Sequence, residues 1–331
     1  MDTQEWNPGQ LFEISGFYWK TCTLHAGVKL DIFTIIGDEQ LTGREVARKL
    51  NSDERAVTML LNALSAMNLL TKTGERYANI PSAAALLSKN SPRYIGHMIM
   101  HHHHLVATWS RLDEAVKTGK PVRVAYEDDD EQRRESFLMG MFNLAMGIAP
   151  GLAKQTDLSG RRHLLDLGGG PGTYAIHFCL NNPRLSATVG DLPTTRPFAE
   201  KTIEKFGLSD RISFTDVNYM EDEIKGKYDV VWMSHILHAE GPGDCQKIIW
   251  KAVSALEPGG MIMIHDFILD ETMDAPLFPS LFSLNMLMAT SYGQSYSEKQ
   301  IREMLSEAGV KDIQRTSFHG PNDSGIITGV V

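Results

Sequence analysis

The chain has 331 residues, 42% of them hydrophobic, enough for one large or two moderate domains with their own cores. A net charge of −9 argues against a general nucleic-acid binder, because neutralising phosphates requires a basic face. Cys22, Cys179 and Cys245 are few, odd in number and without CxxC spacing, which fits a reducing compartment and gives no disulfide framework.

The start, Met1-Asp2-Thr3-Gln4-Glu5-Trp6, lacks the basic and apolar run of a signal peptide. No apolar stretch reads as long enough to span a membrane; Val230 to Leu237 is interrupted by Ser234 and His235. A cytoplasmic protein without nucleic-acid or membrane partners is the expectation.

Apolar residues at helical spacing (Leu24, Val28, Leu30, Phe33) predict one helix over Leu11 to Ile36, ending near Gly37. A second helix begins at Thr42, with Glu45 three residues on, as in a capping box. A third runs from about Asp53 to Met67, and Leu69–Lys72 and Arg76–Ile80 form a small hairpin around Thr73-Gly74-Glu75. Two helices and a hairpin suggest a winged helix. Its second helix carries Asp53, Glu54, Arg55, Thr58, Asn62 and Ser65, poor in the Arg and Lys that read guanines and phosphates, which favours a scaffold or dimerisation module over DNA recognition.

The acidic run Glu127-Asp128-Asp129-Asp130-Glu131 reads as a solvated loop. From Arg161 short apolar runs alternate with helical segments: His163–Leu167, Ser186–Gly190, Ile212–Val217, Tyr228–Ser234 and Met261–His265, with Lys311–Phe318 and Ser324–Val331 as a closing pair. That alternation predicts an α/β domain with a doubly wound, mostly parallel sheet. The division is 1–105, mainly helical; 106–160, a helical linker; and 161–331, the α/β domain.

Between the first of these strands and its helix lies Asp166-Leu167-Gly168-Gly169-Gly170-Pro171-Gly172. Glycine there lets the backbone turn tightly and approach a ligand. The dinucleotide fingerprint GxGxxG wants glycine at position 173, where this chain has Thr, so DxGxGxG suits S-adenosylmethionine better. Asp191 ends the second strand, where a carboxylate can meet ribose hydroxyls. Asp216 ends the third, where one can meet the adenine amino group.

With Gly190-Asp191-Leu192-Pro193, Thr215-Asp216-Val217, Ile236-Leu237-His238 and Glu257-Pro258-Gly259-Gly260 in that order, most of the chain resembles the caffeic-acid and hydroxyindole (acetylserotonin) O-methyltransferases and their bacterial relatives. The resemblance implies a Rossmann-like class I methyltransferase domain with a seven-stranded sheet, preceded by a winged-helix domain that forms a homodimer. It implies S-adenosylmethionine as cofactor and S-adenosylhomocysteine as product, held by Asp166, Gly168, Gly170, Gly172, Asp191, Leu192, Asp216 and Val217. Ser234 and His235 stand where relatives place a cofactor-contacting Lys or Arg. His238 stands at the catalytic histidine and Asp266 at the acid orienting it. An imidazole that titrates near neutrality suits removal of an acceptor's proton.

The chain departs from relatives in reading His238-Ala239-Glu240 where they read His-Asp-Trp, losing the Trp that stacks on adenine. Gly293-Gln294-Ser295-Tyr296-Ser297 replaces a stretch bearing a second orienting Glu. An acceptor that ionises readily, such as a thiol or acidic phenol, would tolerate those losses. The alternatives kept beside an aromatic hydroxyl are therefore a thiol or amine acceptor, a non-methylating cofactor-binding protein, and a winged-helix regulator.

His97, His101, His102, His103 and His104 lie in one helical segment, with His97, His101 and His104 on one face at metal-ligating spacing. No CxxC or HExxH completes that set. A polar, partly aromatic wall of the acceptor pocket is preferred to a metal site, to which His235, His265 and Asp266 could converge from the other domain. The pocket set is His101, His104, Phe142, Asn143, Met146, Met286 and Thr290, the last two in or near the segment Ser283–Leu287 that matches a pocket helix of the relatives.

Overall fold

The computed structural model describes residues 5–122 and 130–331. The chain forms two compact units, Met1–Leu105 with Asp130–Asn143, and Val106–Asp129 with Leu144–Val331.

In the first unit, α1 (Pro8–Lys29) starts at Asn7, whose side chain caps the backbone of Gln10 and is answered by the Gln10 side chain. α2 (Ile32–Ile36) follows separately. The single helix expected over Leu11–Ile36 is thus broken, because Asp31 takes φ of 55°. A left-handed residue stops the helical ladder, and here the Asp31 carboxylate pairs with Lys89 at 2.8 Å.

After β1 (Leu41–Thr42), α3 (Gly43–Leu50) carries the expected capping box. The Glu45 amide donates to Thr42 Oγ1 at 3.3 Å and the Thr42 amide to Glu45 Oε2 at 2.7 Å. α4 (Glu54–Ala66) leads to β2 (Leu70–Thr73) and β3 (Arg76–Asn79). Among the described residues the wing has three antiparallel strands, β1–β3–β2, where a two-stranded hairpin was expected. α5 (Pro81–Leu87) and α6 (Gly96–Trp109) follow, the latter bearing the histidine run as expected. Val28, Phe33, Ile36, Leu61, Leu64 and Tyr77 form the core.

α7 (Leu112–Thr118) precedes α8 (Asp130–Gln155). Of the expected acidic loop, Glu127–Asp129 lie outside the described residues, and Asp130 and Glu131 begin α8 instead. α8 corrects a second expectation. Its stretch Arg133–Gln155 is long and apolar enough to cross a membrane by length and composition alone. A helix buried in a globular core meets the same criterion, and Ala149, Leu152 and Ala153 of α8 are buried in the second unit.

The second unit alternates strand and helix. It runs β4 (His163–Leu167), α9 (Thr173–Asn181), β5 (Ser186–Asp191), α10 (Arg196–Lys205), β6 (Ile212–Asp216) and β7 (Tyr228–Ser234). α11 (Pro242–Ser254), β8 (Leu256–Leu269), α12 (Leu277–Ala289), β9 (Tyr296–Ser297), α13 (Glu298–Glu307), β10 (Lys311–Arg315) and β11 (Ser324–Val330) complete it. Among the described residues the strands run β10–β11–β8–β7–β4–β5–β6, with β9 added on the end of β8. Strands β6 to β8 are parallel and β11 is antiparallel.

Alternation along β7 explains why both faces are covered. Val230 and Trp232 enter one core cluster, Val231 and Met233 the other. Strand order reverses at β4, which has β5 on one side and β7 on the other, so a crevice opens beyond the carboxyl ends of these strands.

Candidate active site

The glycine turn leaves β4 at this reversal. The Gly168 amide donates to Gly190 O at 2.7 Å, tying the turn to the end of β5. Gly168 has φ of 66°, and a Cβ there would lie 2.8 Å from Ile236 Cδ1. Gly170 has φ of 54°, with open space where its side chain would be. Both conformations are ones an L side chain rarely adopts. Gly172 caps α9, so the positive end of that helix faces the turn.

Two carboxylates serve this loop. Asp191 accepts the Gly170 amide at 2.8 Å through Oδ2, and the Leu192 amide and Thr195 hydroxyl through Oδ1. Asp166 is buried; one oxygen takes the Ala175 amide at 3.2 Å and the other, Oδ1, has no partner. Burial lifts its pKa to about 7 against the pull of that amide, and Asp191 adds to the rise.

Asp216 is less free than its position suggested. Arg196 on α10 pairs with it at 2.9 Å while stacking over Phe214. Val217 is buried, its amide donating to Asp191 O at 2.9 Å; Leu192 is exposed. A cavity of about 270 Å³ is lined by Thr215, Asp216 and Val217. A wider groove, about 760 Å³, is lined by Glu298, Arg302 and Arg315 and includes none of the expected site residues.

On the other side of β4, the tips of β7 and β8 build a second cluster. Ser234 pairs in register with His265, so the next residues of the two strands emerge side by side. His235 turns the chain at φ of 58°, its amide donating to His265 O at 2.8 Å. Ile236 and Leu237 are buried, and they anchor a short 3₁₀ turn (Leu237–Ala239) that carries His238.

His238 Nδ1 donates to Asp266 Oδ1 at 2.7 Å, and the same oxygen takes the Phe267 amide at 2.9 Å. The His238 ring packs edge-on against Phe282 at 4.7 Å. Burial would push the Asp266 carboxyl up, but His238 and His235 beside it hold it well below the usual carboxylate range. Asp266 therefore stays an anion, and in the neutral form of the His238 ring it fixes the proton on Nδ1 and leaves Nε2 with its lone pair.

Ser234 and His235 do not project as a Lys or Arg would. Ser234 Oγ hydrogen-bonds His265 Nδ1 at 2.9 Å, and His265 Nε2 reaches Ser324 Oγ at 3.1 Å. His265 is fully buried, and burial with His235 nearby holds it well below its usual pKa, hence neutral. His235 Nδ1 points to Asp266 at 3.5 Å. Ser234, His235, His265 and Asp266 were each singled out in the sequence, but not their joining with Tyr174 and Phe267 in one buried network.

The pocket residues fall in both units. In the first, His101 packs on Phe137 at 5.3 Å, His104 and Phe142 are half-buried, and Asn143 Nδ2 donates to Tyr94 O at 2.9 Å. In the second, Met146 Sδ meets His177 Nε2 at 3.3 Å, Met286 is buried, and Thr290 takes the Gly293 amide at 2.8 Å. His97, His101 and His104, the alternative metal set, lie on α6. Among the described residues, the His, Cys, Asp and Glu side chains that bring three ligand atoms together are His235, His238 and Asp266. His97 instead packs against Tyr94, and His103 contacts Lys29 and His25. Burial lowers the pKa of His101 to about 4, with His102 and His104 adding to it, so that imidazole is neutral at pH 7.

Comparison with known proteins gives the family and the fold. The O-methyltransferase domain model matches residues 109–311 and the O-methyltransferase dimerisation domain model residues 12–89. The 3-hydroxy-5-methyl-1-naphthoate 3-O-methyltransferase of Streptomyces sahachiroi is 31% identical over 98% of this chain and 95% of its own. The N,N-dimethyltransferase OxyT of Streptomyces rimosus is 27% identical over 91% of this chain and 90% of its own. Human N-acetylserotonin methyltransferase in complex with SAM shares the fold, with a TM-score of 0.85 at 23% identity, covering 100% of this chain and 99% of that one.

Proposed function

The chain belongs to the O-methyltransferase family, and on that premise we propose that it moves a methyl group from S-adenosylmethionine to the hydroxyl of a small aromatic acceptor, with His238 taking the proton. It is an S-adenosylmethionine-dependent methyltransferase. The observation that carries the finer reading is the 2.7 Å bond between His238 Nδ1 and a buried, ionised Asp266.

The residues at the glycine turn fit the cofactor. Gly170 leaves open space at a positive φ, Asp166 Oδ1 is buried without a partner, and a helix amino terminus faces the turn. Asp166, Gly168, Gly170, Gly172, Asp191 and Leu192 would hold it, with Asp216 and Val217 beyond. When bound, the cofactor supplies an electrophilic methyl and leaves as S-adenosylhomocysteine.

The protein's own share is alignment and proton transfer. His238 Nε2 accepts the proton of the acceptor hydroxyl as its oxygen attacks, and Asp266 keeps the tautomer and stabilises the imidazolium that results. Phe282 and Phe267 wall the ring and fix its plane. Ser234, held by His265, and His235, held against Asp266, act by shaping this corner more than by offering charge.

An amine or thiol acceptor is the second reading. Ser295, which stands where relatives have a second orienting Glu, is fully buried and its hydroxyl has no partner, so His238 has one acid rather than two. OxyT is an N,N-dimethyltransferase by its name, so relatives of this chain do not share one acceptor atom. A homodimer built through the dimerisation domain is also proposed, α1 leaving Phe12 and Trp19 75% and 70% exposed in the single chain. A cytoplasmic location goes with it. A screen of phenols, thiols and amines with methyl-labelled cofactor tests the whole reading. Label on a phenol and not on its aniline or thiophenol counterpart supports it, and the reverse selects the second.

A further inference from the structure

His235 puts a second imidazole on the Asp266 carboxylate. Its Nδ1 lies 3.5 Å from the oxygen that binds His238 Nδ1 at 2.7 Å, and one ligand atom from each of the three residues lies within 4.8 Å of the other two. At 3.5 Å the His235 contact is too long for a useful hydrogen bond, and its Nδ1 is buried with no other partner. Asp266 is 3% exposed, and among the described residues its ion pairs are with these two histidines alone, with no Lys or Arg. A buried anion and an unsatisfied nitrogen thus face the same small space. His235 also holds a left-handed φ of 58°, a conformation of some cost for a non-glycine residue.

We propose that His235, His238 and Asp266 form a binding site for a divalent transition-metal ion of the zinc class, and that its occupation switches the base off. Two imidazole nitrogens and one carboxylate oxygen are ligands zinc favours, at about 2.0–2.2 Å each, and three protein ligands leave a fourth position for water. Ligand atoms around a tetrahedral ion sit roughly 3.3 Å apart. The His235–Asp266 spacing already matches, and the His238–Asp266 pair opens by about half an ångström once the ion replaces its hydrogen bond. Magnesium and calcium, which prefer oxygen, fit this set poorly. The neighbouring His265 does not compete, since Ser234 and Ser324 occupy its nitrogens.

The inhibition follows from proton bookkeeping. A neutral imidazole that binds metal through Nδ1 carries its proton on Nε2. The proton of His238 therefore moves from Nδ1 to Nε2, none is lost, and the nitrogen that must receive the acceptor's proton has no lone pair. This inhibition arm rests on the reading of His238 as base; the binding arm does not.

The test titrates metal-free enzyme with zinc chloride against a chromophoric chelator and records the visible spectrum with cobalt(II). We expect one tight equivalent and the absorption of four-coordinate cobalt. His235→Asn, which keeps a residue tolerant of left-handed backbone, and His238→Gln should each weaken zinc by about tenfold or more. Far-UV circular dichroism and a cooperative thermal melt verify that each variant is folded. In the wild-type protein methyl transfer should fall with zinc occupancy and return with EDTA. Unchanged zinc affinity in both variants, or loss confined to a His101→Ala/His104→Ala variant, would overturn the site. Zinc binding that depends on His235 and His238 with turnover undiminished upholds the site and removes His238 from the role of base.

Discussion

Asp266 Oδ1 accepts the proton-bearing Nδ1 of His238 at 2.7 Å, so one buried carboxylate sets which nitrogen of that imidazole faces outward. Asp266→Asn keeps the shape and loses the charge. Its turnover should fall by roughly 10²–10⁴-fold, the range for general-base catalysis, with S-adenosylhomocysteine affinity within about threefold. His238→Ala should behave alike. Steady-state rates and calorimetry check both, and turnover within tenfold of wild type would exclude the dyad from the chemistry.

Gly168 and Gly170 should respond differently to alanine. At Gly168 the new Cβ meets Ile236 at 2.8 Å on a strained backbone, whereas Gly170 has strain without a clash. Gly168→Ala is expected to lose about 1–3 kcal/mol of stability and most cofactor binding. Gly170→Ala should lose about 1 kcal/mol. Equal melting temperatures for the two would contradict this account of the turn.

Asp216 tests whether an exposed acid already paired to Arg196 still contributes to the cofactor site. Asp216→Ala should raise the KM for S-adenosylmethionine about tenfold, the worth of one good charged hydrogen bond, with kcat little changed. Arg196→Ala removes an ion pair about half open to water, worth under about 1 kcal/mol, and should change KM far less. An unaltered KM in Asp216→Ala would take that residue out of the binding set.

Asp166 couples stability to pH in the protein without cofactor. Its folded pKa of about 7 lies above the value near 3.9 of an unfolded chain. Below about 4 both states hold the proton and burial costs nothing extra. As pH rises to about 7 the unfolded state releases it while the folded state keeps it, so stability declines across that window and levels off above it. Asp166→Asn should flatten this component of the thermal-melt profile between pH 4 and pH 7. A slope identical to wild type would mean that Asp166 is not the group responsible.

The first helix bears on assembly. Phe12 and Trp19 are large, apolar and 75% and 70% exposed, the pattern of a surface that another chain covers. Phe12→Glu/Trp19→Glu should shift light-scattering mass from dimer to monomer while cofactor binding persists. A double variant that remains dimeric would move the interface elsewhere.

The order of strands and helices after Arg161, the glycine turn and the strand-end acids were legible because they rest on local rules. Alternation sets each face of a strand, the glycines after β4 mark its left-handed turn, and the first residues beyond a strand stand at its tip. The capping box at Thr42 was readable for the same reason. The break at Asp31 was not, since the apolar spacing runs through it and nothing in that spacing marks an Asp that takes a left-handed φ. Nor was the pairing of Asp216 with Arg196, the burial of Val217, or the turning of His235 onto Asp266. Those are decided by which side chains neighbouring elements bring into one place. Sequence alone could nominate His238 and Asp266; only the parallel register of β7 with β8 puts their atoms in contact and sets His235 beside them.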